Sequence, residues 1–198
     1  MKGYIKIRQS VLDILDKELP DHLYYHSIDH TLDVLKVCNE YIERRKLDDH
    51  TAKLLRLGAL LHDIGFTVSN VDHEERGVEI SQKLLSEYGM PQEDIDVIHG
   101  LIRATKIPQN PKTELEKIIC DSDLDYLGRN NFYNISGELF RELQAFDIVH
   151  DTNEWNKMQI RFLEAHTYHT PFAREFRQPV KEKRIAELKK MVEEHESR

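Results

Sequence analysis

Apolar residues recur at intervals of three and four along almost the whole chain, and nowhere do they alternate with a period of two for long enough to make a strand. That periodicity admits amphipathic helices and excludes a sheet. The fold class it implies is all-α, a helical bundle. The expected helices cover residues 4–19, 27–46, 49–64, 72–88, 91–104, 113–127, 131–148, 152–167 and 171–195. Pro20, Gly65, Gly89-Met90-Pro91, Pro108 with Pro111, Gly128 and Pro171 punctuate them. At 198 residues the expectation is a single domain over 1–198, long enough to bury a sizeable core.

Charge narrows the function classes. With 28 Lys+Arg against 36 Asp+Glu the formal charge is -8, so the surface as a whole repels polyanions. No basic block offsets this, and neither a stable nucleic-acid partner nor a membrane surface is expected. The first twenty residues form an amphipathic helix rather than a signal segment, and no apolar run approaches the length of a membrane span. Cys38 and Cys120 sit in apolar helical patterns away from any CxxC spacing, which suits buried thiols of a reduced, cytoplasmic protein. Oligomeric state is left open.

Several polar residues lie on the apolar stripes, where neighbours at i±3, i±4 and i±7 share a face. In LLRLGALLHDIGFT (54–67), Leu54/Leu55 and Gly58/Ala59 lead to His62, and the two small residues leave room for another helix. His30 aligns with Val34, Val37 and Tyr41; His73, after a candidate N-cap at Asp72, aligns with Gly77, Ile80 and Leu84; His99 lies between Ile95 and Ile102. Of the carboxylates in CDSDLDYLG, Asp123 shares a face with Ile119, Tyr126 and Leu127, whereas Asp121 falls on a more polar side. A single inward histidine is ordinarily a core residue bonded to a carbonyl. Four of them with inward acids, Asp63 among these, are harder to satisfy that way, because burying an unpaired carboxylate is costly. A divalent cation satisfies them together, and helical bundles build such sites from facing helices. The lack of thiolates argues against a structural zinc centre.

These residues resemble a known pattern. His30, His62-Asp63 and Asp123, in the contexts HTLDVL, LLHDIG and DSDLDYLG, are similar to the H…HD…D signature of the HD-domain superfamily of metal-dependent phosphohydrolases, over roughly residues 22–170. The resemblance implies His30, His62, Asp63 and Asp123 as metal ligands. Tyr25-His26-Ser27-Ile28-Asp29-His30 is similar to the YHNxxH segment of cyclic-nucleotide phosphodiesterases, which implies His26 as the proton donor to the leaving oxygen; the alternative is a surface residue at a helix start. His73 and His99 fall where dinuclear branches of the superfamily carry two further histidines, implying a second metal bridged by Asp63. The stretch departs from HD-GYP phosphodiesterases: Phe66 stands where a Lys would follow HDIG, and GYP is missing.

The implied activity is hydrolysis of a phosphomonoester or phosphodiester, of a nucleotide or small phosphorylated metabolite, by metal-activated water. The implied cofactor is one or two divalent ions (Mn, Fe, Co, Mg or Zn), which the sequence does not rank. Lys106, where a helix gives way to a Pro-bounded loop, is the preferred phosphate contact; Arg103 and Arg129 are weaker candidates. The segment 162–177 either closes over the pocket with His166, Tyr168, His169 and Arg177, or is a helix–helix turn set by Pro171. Two rivals come from other classes: a di-iron oxygenase with the same six ligands, and a non-catalytic nucleotide sensor, against which the intact H…HD…D set speaks.

Overall fold

The structure, a computed structural model, describes residues 2–197. Among the described residues the regular elements are all helical. They are α1 (Lys2–Glu18), α2 (Ile28–Arg45), α3 (Asp49–Leu61), α4 (His73–Glu87), α5 (Gln92–Ala104), α6 (Glu114–Asp123), α7 (Phe132–Ala145), α8 (Thr152–Ala165), α9 (Pro171–Phe176) and α10 (Gln178–Glu196), with 3₁₀ turns at Ile64–Thr67 and Asp125–Gly128. None of these helices is long and apolar enough to cross a membrane. The chain divides into two compact units, Met1–Asp123 and Leu124–Arg198.

The first unit is organised around α3. Leu54, Leu55, Leu57, Leu60 and Leu61 are all buried; the charged residues of α3 stop at Arg56, and beyond it the helix is apolar all round with no face to give to water. At about 2 kcal/mol for each buried Leu side chain, this helix is the main cohesive element of the unit. It packs on α1, α2, α5 and α6. A Cβ at Gly58 would stand 2.6 Å from Leu101 Cδ1, so the glycine is what lets α5 approach α3. Ser27 caps α2 by accepting the His30 N–H, and Asp48 caps α3 by accepting the His50 and Thr51 N–H groups.

The expected helices 49–64 and 113–127 both stop early. α3 ends at Leu61; His62 is still helical in backbone angles, but Asp63 turns to φ -109, ψ 7 and the chain tightens into the first 3₁₀ turn. α6 ends at Asp123 and is followed by the second 3₁₀ turn. Asp72 is not a side-chain cap: it sits at φ 50 before α4, makes no capping hydrogen bond, and gives its carboxylate to Lys106. Asp121 is not on a polar side either, being 0% exposed.

In the second unit α8 and α9 pack on α10, and α7 on the second 3₁₀ turn. The expected single helix 171–195 is two, broken at Arg177. Pro179 explains the break, since it has no N–H and its ring crowds the preceding turn, so it opens α10 rather than continuing α9. Thr170 and Pro171 start α9, with Thr170 accepting the Ala173 N–H. Asp125 is 1% exposed and takes Arg177 Nε at 2.7 Å and Arg129 Nε at 3.5 Å. Tyr168 is fully buried and donates to the Leu124 carbonyl, and Lys181 donates to the His166 carbonyl. The segment 162–177 thus comprises the end of α8, a turn and α9, with Tyr168 bonded to Leu124 and Arg177 to Asp125 within the unit.

Candidate metal centre

Four side chains meet at the ends of three helices in the first unit. His30 comes from the first turn of α2, His62 and Asp63 from the residues just past α3, and Asp123 from the last position of α6. His30 Nε2 lies 3.2 Å from Asp123 Oδ1 and 3.4 Å from Asp63 Oδ2. His62 Nε2 lies 3.1 Å from the same Asp63 oxygen, 3.7 Å from Asp123 Oδ1 and 3.2 Å from His30 Nε2. His62 is fully buried, His30 and Asp63 nearly so. Gln109 steadies the outer side of Asp123, its Nε2 standing 3.5 Å from Oδ2.

The protonation pattern shows what this arrangement lacks. His62 Nδ1 faces the Ala59 carbonyl at 2.9 Å, and a carbonyl only accepts, so Nδ1 carries the proton. In the neutral ring Nε2 therefore turns a lone pair toward the Asp63 carboxylate and toward the other imidazole. Asp63 Oδ2, buried, has no well-aligned donor. Positive charge is missing from the middle. Protons can supply it: burial alone would lower the His30 pKa, but the close carboxylates of Asp123 and Asp63 outweigh it and hold the imidazolium up to about 10. For His62 likewise, burial works downward and the charge of Asp63 more than reverses it. Burial would raise the Asp63 carboxyl, but the facing imidazoles, His62 foremost, hold it well below its ordinary value. A divalent cation supplies the same charge without protonating the rings. The donor atoms of His30, His62 and Asp123 lie within 4.8 Å of one another, close enough to surround one ion. The residues fit a metal.

Asp63 faces two ways. While Oδ2 meets His30 and His62, Oδ1 lies 3.6 Å from Nε2 of His73, the first residue of α4. Gly65 makes this possible, since a Cβ there would stand 1.8 Å from the His73 carbonyl oxygen. His73 Nε2 also lies 3.5 Å from Glu74 Oε1, a buried carboxylate that the helical stripes did not single out. Its only signal in the sequence is its place beside His73. Gln109 carried no signal at all, because a loop residue has no periodicity. His99 is buried on α5 with Nε2 lacking a hydrogen-bond partner, and it is not one of the three residues whose donors cluster.

His26 stands beside this group rather than in it. Its half-buried ring is stacked on Phe66 at 4.0 Å between centroids and lies 6.2 Å from the His30 ring. Lys106, exposed, holds Asp72 at 2.9 Å, one residue before His73. Arg103 is bound through two nitrogens to Glu75, and Arg129 is beside Asp125. Cys38 and Cys120 are buried free thiols, with burial pushing Cys38 up to about 12.

A family model described as "HD domain" matches residues 27–125. The solved structure of a predicted HD superfamily hydrolase from an uncultured Thermotogales bacterium aligns with a TM-score of 0.58 at 23% identity, over 96% of this chain and 91% of that one. That likeness places the all-α fold. No curated protein matches the chain. Half of the chain, carrying His30, His62, Asp63, His73, His99 and Asp123, is matched, and the chain belongs to the HD-domain family.

Proposed function

We propose that this chain is a metal-dependent phosphohydrolase that cleaves a phosphomonoester or phosphodiester of a nucleotide or small phosphorylated metabolite. The observation that carries it is the buried imidazole–carboxylate group whose donors converge on a centre in need of positive charge. A divalent ion held there supplies water of lowered pKa and draws charge from the phosphoryl oxygens.

The rest falls to the chain's own side chains. His30, His62 and Asp123 would hold such an ion, with Asp123 kept in orientation by Gln109 and His62 by the Ala59 carbonyl. Asp63 would be a further ligand, and it or Asp123 would orient the attacking hydroxide. The second Asp63 oxygen and His73 offer a place for a second ion, to which His99 is the remaining candidate ligand. His26, accessible in part with its ring centroid 6.2 Å from that of His30, would protonate the leaving oxygen. Lys106 reaches a phosphate by exchanging its exposed partner Asp72, a pair that water weakens.

The test is elemental analysis of protein purified without chelator, beside single Ala variants of His62, Asp123, His73 and His99, followed by a nucleotide and phosphodiester screen. Stoichiometric metal, lost with His62 or Asp123, together with phosphate or alcohol release is the expected result. Two equivalents falling to one in the His73 and His99 variants would establish the dinuclear form. Oxygen consumption with Fe(II) and no hydrolysis would turn the reading toward an oxygenase; metal-loaded protein that binds nucleotides without turnover would make it a sensor. No metal under any loading condition would end the enzyme reading.

A further inference from the structure

One aromatic ring lies between two imidazoles. Phe66 stacks on His26 with centroids 4.0 Å apart and planes inclined by 23°, and its opposite partner His73 stacks at 4.1 Å and 27°. The two histidine centroids are 6.3 Å apart with planes inclined by 49°, about the sum of their tilts to Phe66. Both imidazoles sit at helix starts. His26 precedes the Ser27 cap of α2, in a stretch of bends, and His73 is the first residue of α4, after a left-handed Asp72. Phe66 is itself fixed. It lies in the 3₁₀ turn that begins after Asp63, its N–H donates to the Asp63 carbonyl at 3.0 Å, and its side chain is 6% exposed.

We propose that Phe66 is a positioning residue that sets the distance and tilt of His26 and His73 with respect to Asp63. One short turn and the residue that precedes it then carry both the two-faced carboxylate and the wedge that orients the two imidazoles. Stacking suits the task, because it restricts a ring to a plane through its faces and puts the nitrogens, which lie on the ring's edge, toward polar partners. An aliphatic residue would fill the space without imposing a plane. The Phe66 role in turnover rests on the phosphohydrolase reading above; its role in holding the two rings does not.

The experiment compares Phe66→Leu and Phe66→Tyr in the full chain by three measurements. Aromatic NMR of the metal-free protein reads the upfield ring-current shifts of the His26 and His73 ring protons, which Leu removes and Tyr retains. Metal equivalents retained after gel filtration fall in Phe66→Leu at the position that depends on His73, and return in Phe66→Tyr. On whichever phosphate ester the protein cleaves, Phe66→Leu lowers kcat by about 10- to 100-fold with KM changed less than about twofold, as misplacement of about an ångström does, and Phe66→Tyr recovers most of the loss. Phe66→Leu with unaltered His26 and His73 shifts would overturn the assignment. So would a lower melting temperature with full kcat per folded molecule, which is what simple core packing gives. If the wild-type chain cleaves no phosphate ester, the functional reading fails alone, and ring shifts and metal retention still decide the role of Phe66.

Discussion

Gly65→Ala strikes the contact on which the arrangement around Asp63 turns. The added Cβ would meet the His73 carbonyl oxygen at 1.8 Å, its carbon at 2.7 Å and the Gly77 nitrogen at 2.8 Å. All three are backbone atoms of α4, so no side chain can swing aside. Ordinary contact begins at 3.4 Å, and the start of α4 must therefore retreat from the 3₁₀ turn by about 1.6 Å, the difference between 3.4 and 1.8. Overpacking of this kind costs roughly 2 kcal/mol, or about 4–8 °C in melting temperature for a chain of this size. His73 now stands 3.6 Å from Asp63 Oδ1, and the same retreat carries it out of reach of any ion shared with Asp63. The expected result is a lower Tm by calorimetry, loss of whatever metal depends on His73, and retention of the metal that depends on His62. Where a phosphate ester is turned over, kcat should fall by about 100-fold. Gly137→Ala on α7 is the control: nothing lies within 4 Å of its Cβ, so helix propensity alone should hold or slightly raise the Tm. A Gly65→Ala protein with wild-type Tm and wild-type metal content would refute the steric account.

Three further outcomes follow from the same geometry. Asp123→Asn keeps the shape but removes one charge facing His30 and His62, and should weaken metal retention at least as much as the 10- to 100-fold typical of outer-shell changes; equilibrium dialysis that finds no loss would transfer the ligand role away from Asp123. In chelated protein His30 is held up at about 10, so the stability it contributes is complete below the unfolded value of about 6.5 and is lost as pH rises through about 10. Chelated protein should therefore melt at progressively lower temperature from pH 7 to 10 while metal-loaded protein changes less, and a flat profile for the chelated form would contradict the imidazole–carboxylate geometry. Lys106→Ala, which removes an exposed partner of Asp72, should leave the Tm in place and raise KM several-fold with kcat nearly kept; an unchanged KM removes Lys106 from the phosphate site.

What could be read from the sequence and what could not divide along the helix axis. Positions within a helix were legible, because periodicity fixes their direction: His30 in the first turn of α2 with Val34, Val37 and Tyr41 after it, His99 with Ile95 and Ile102, and Gly58 as the point of helix approach all lie where the stripes put them. Helix ends were not. The overlong 49–64, 113–127 and 171–195 fail at Asp63, Asp123 and Arg177, where a 3₁₀ turn or Pro179 takes over and the 100° step between residues no longer applies. Three of the metal-ligand candidates, His62, Asp63 and Asp123, lie at the first two of these ends. A continuous helix presents its side chains outward from one rod, whereas a rod that stops can turn two consecutive residues, His62 and Asp63, into the same centre.

The misreading of Asp121 as lying on a polar side has a different cause. Asp121, Asp123 and Asp125 are all withdrawn from water to some degree, so burial does not separate them. Their partners do. Asp125 receives the guanidinium of Arg177 at 2.7 Å with Arg129 beside it, two permanent cations that leave no charge to be supplied. Asp123 and Asp63 face imidazoles, which are cationic only if they take up protons and are ligands if they do not. A carboxylate neutralised by arginine is finished as structure. One surrounded by imidazoles is left with a choice between protons and a metal ion, and that choice, which no helical pattern encodes, is what makes His30, His62, Asp63 and Asp123 a centre rather than a buried salt bridge.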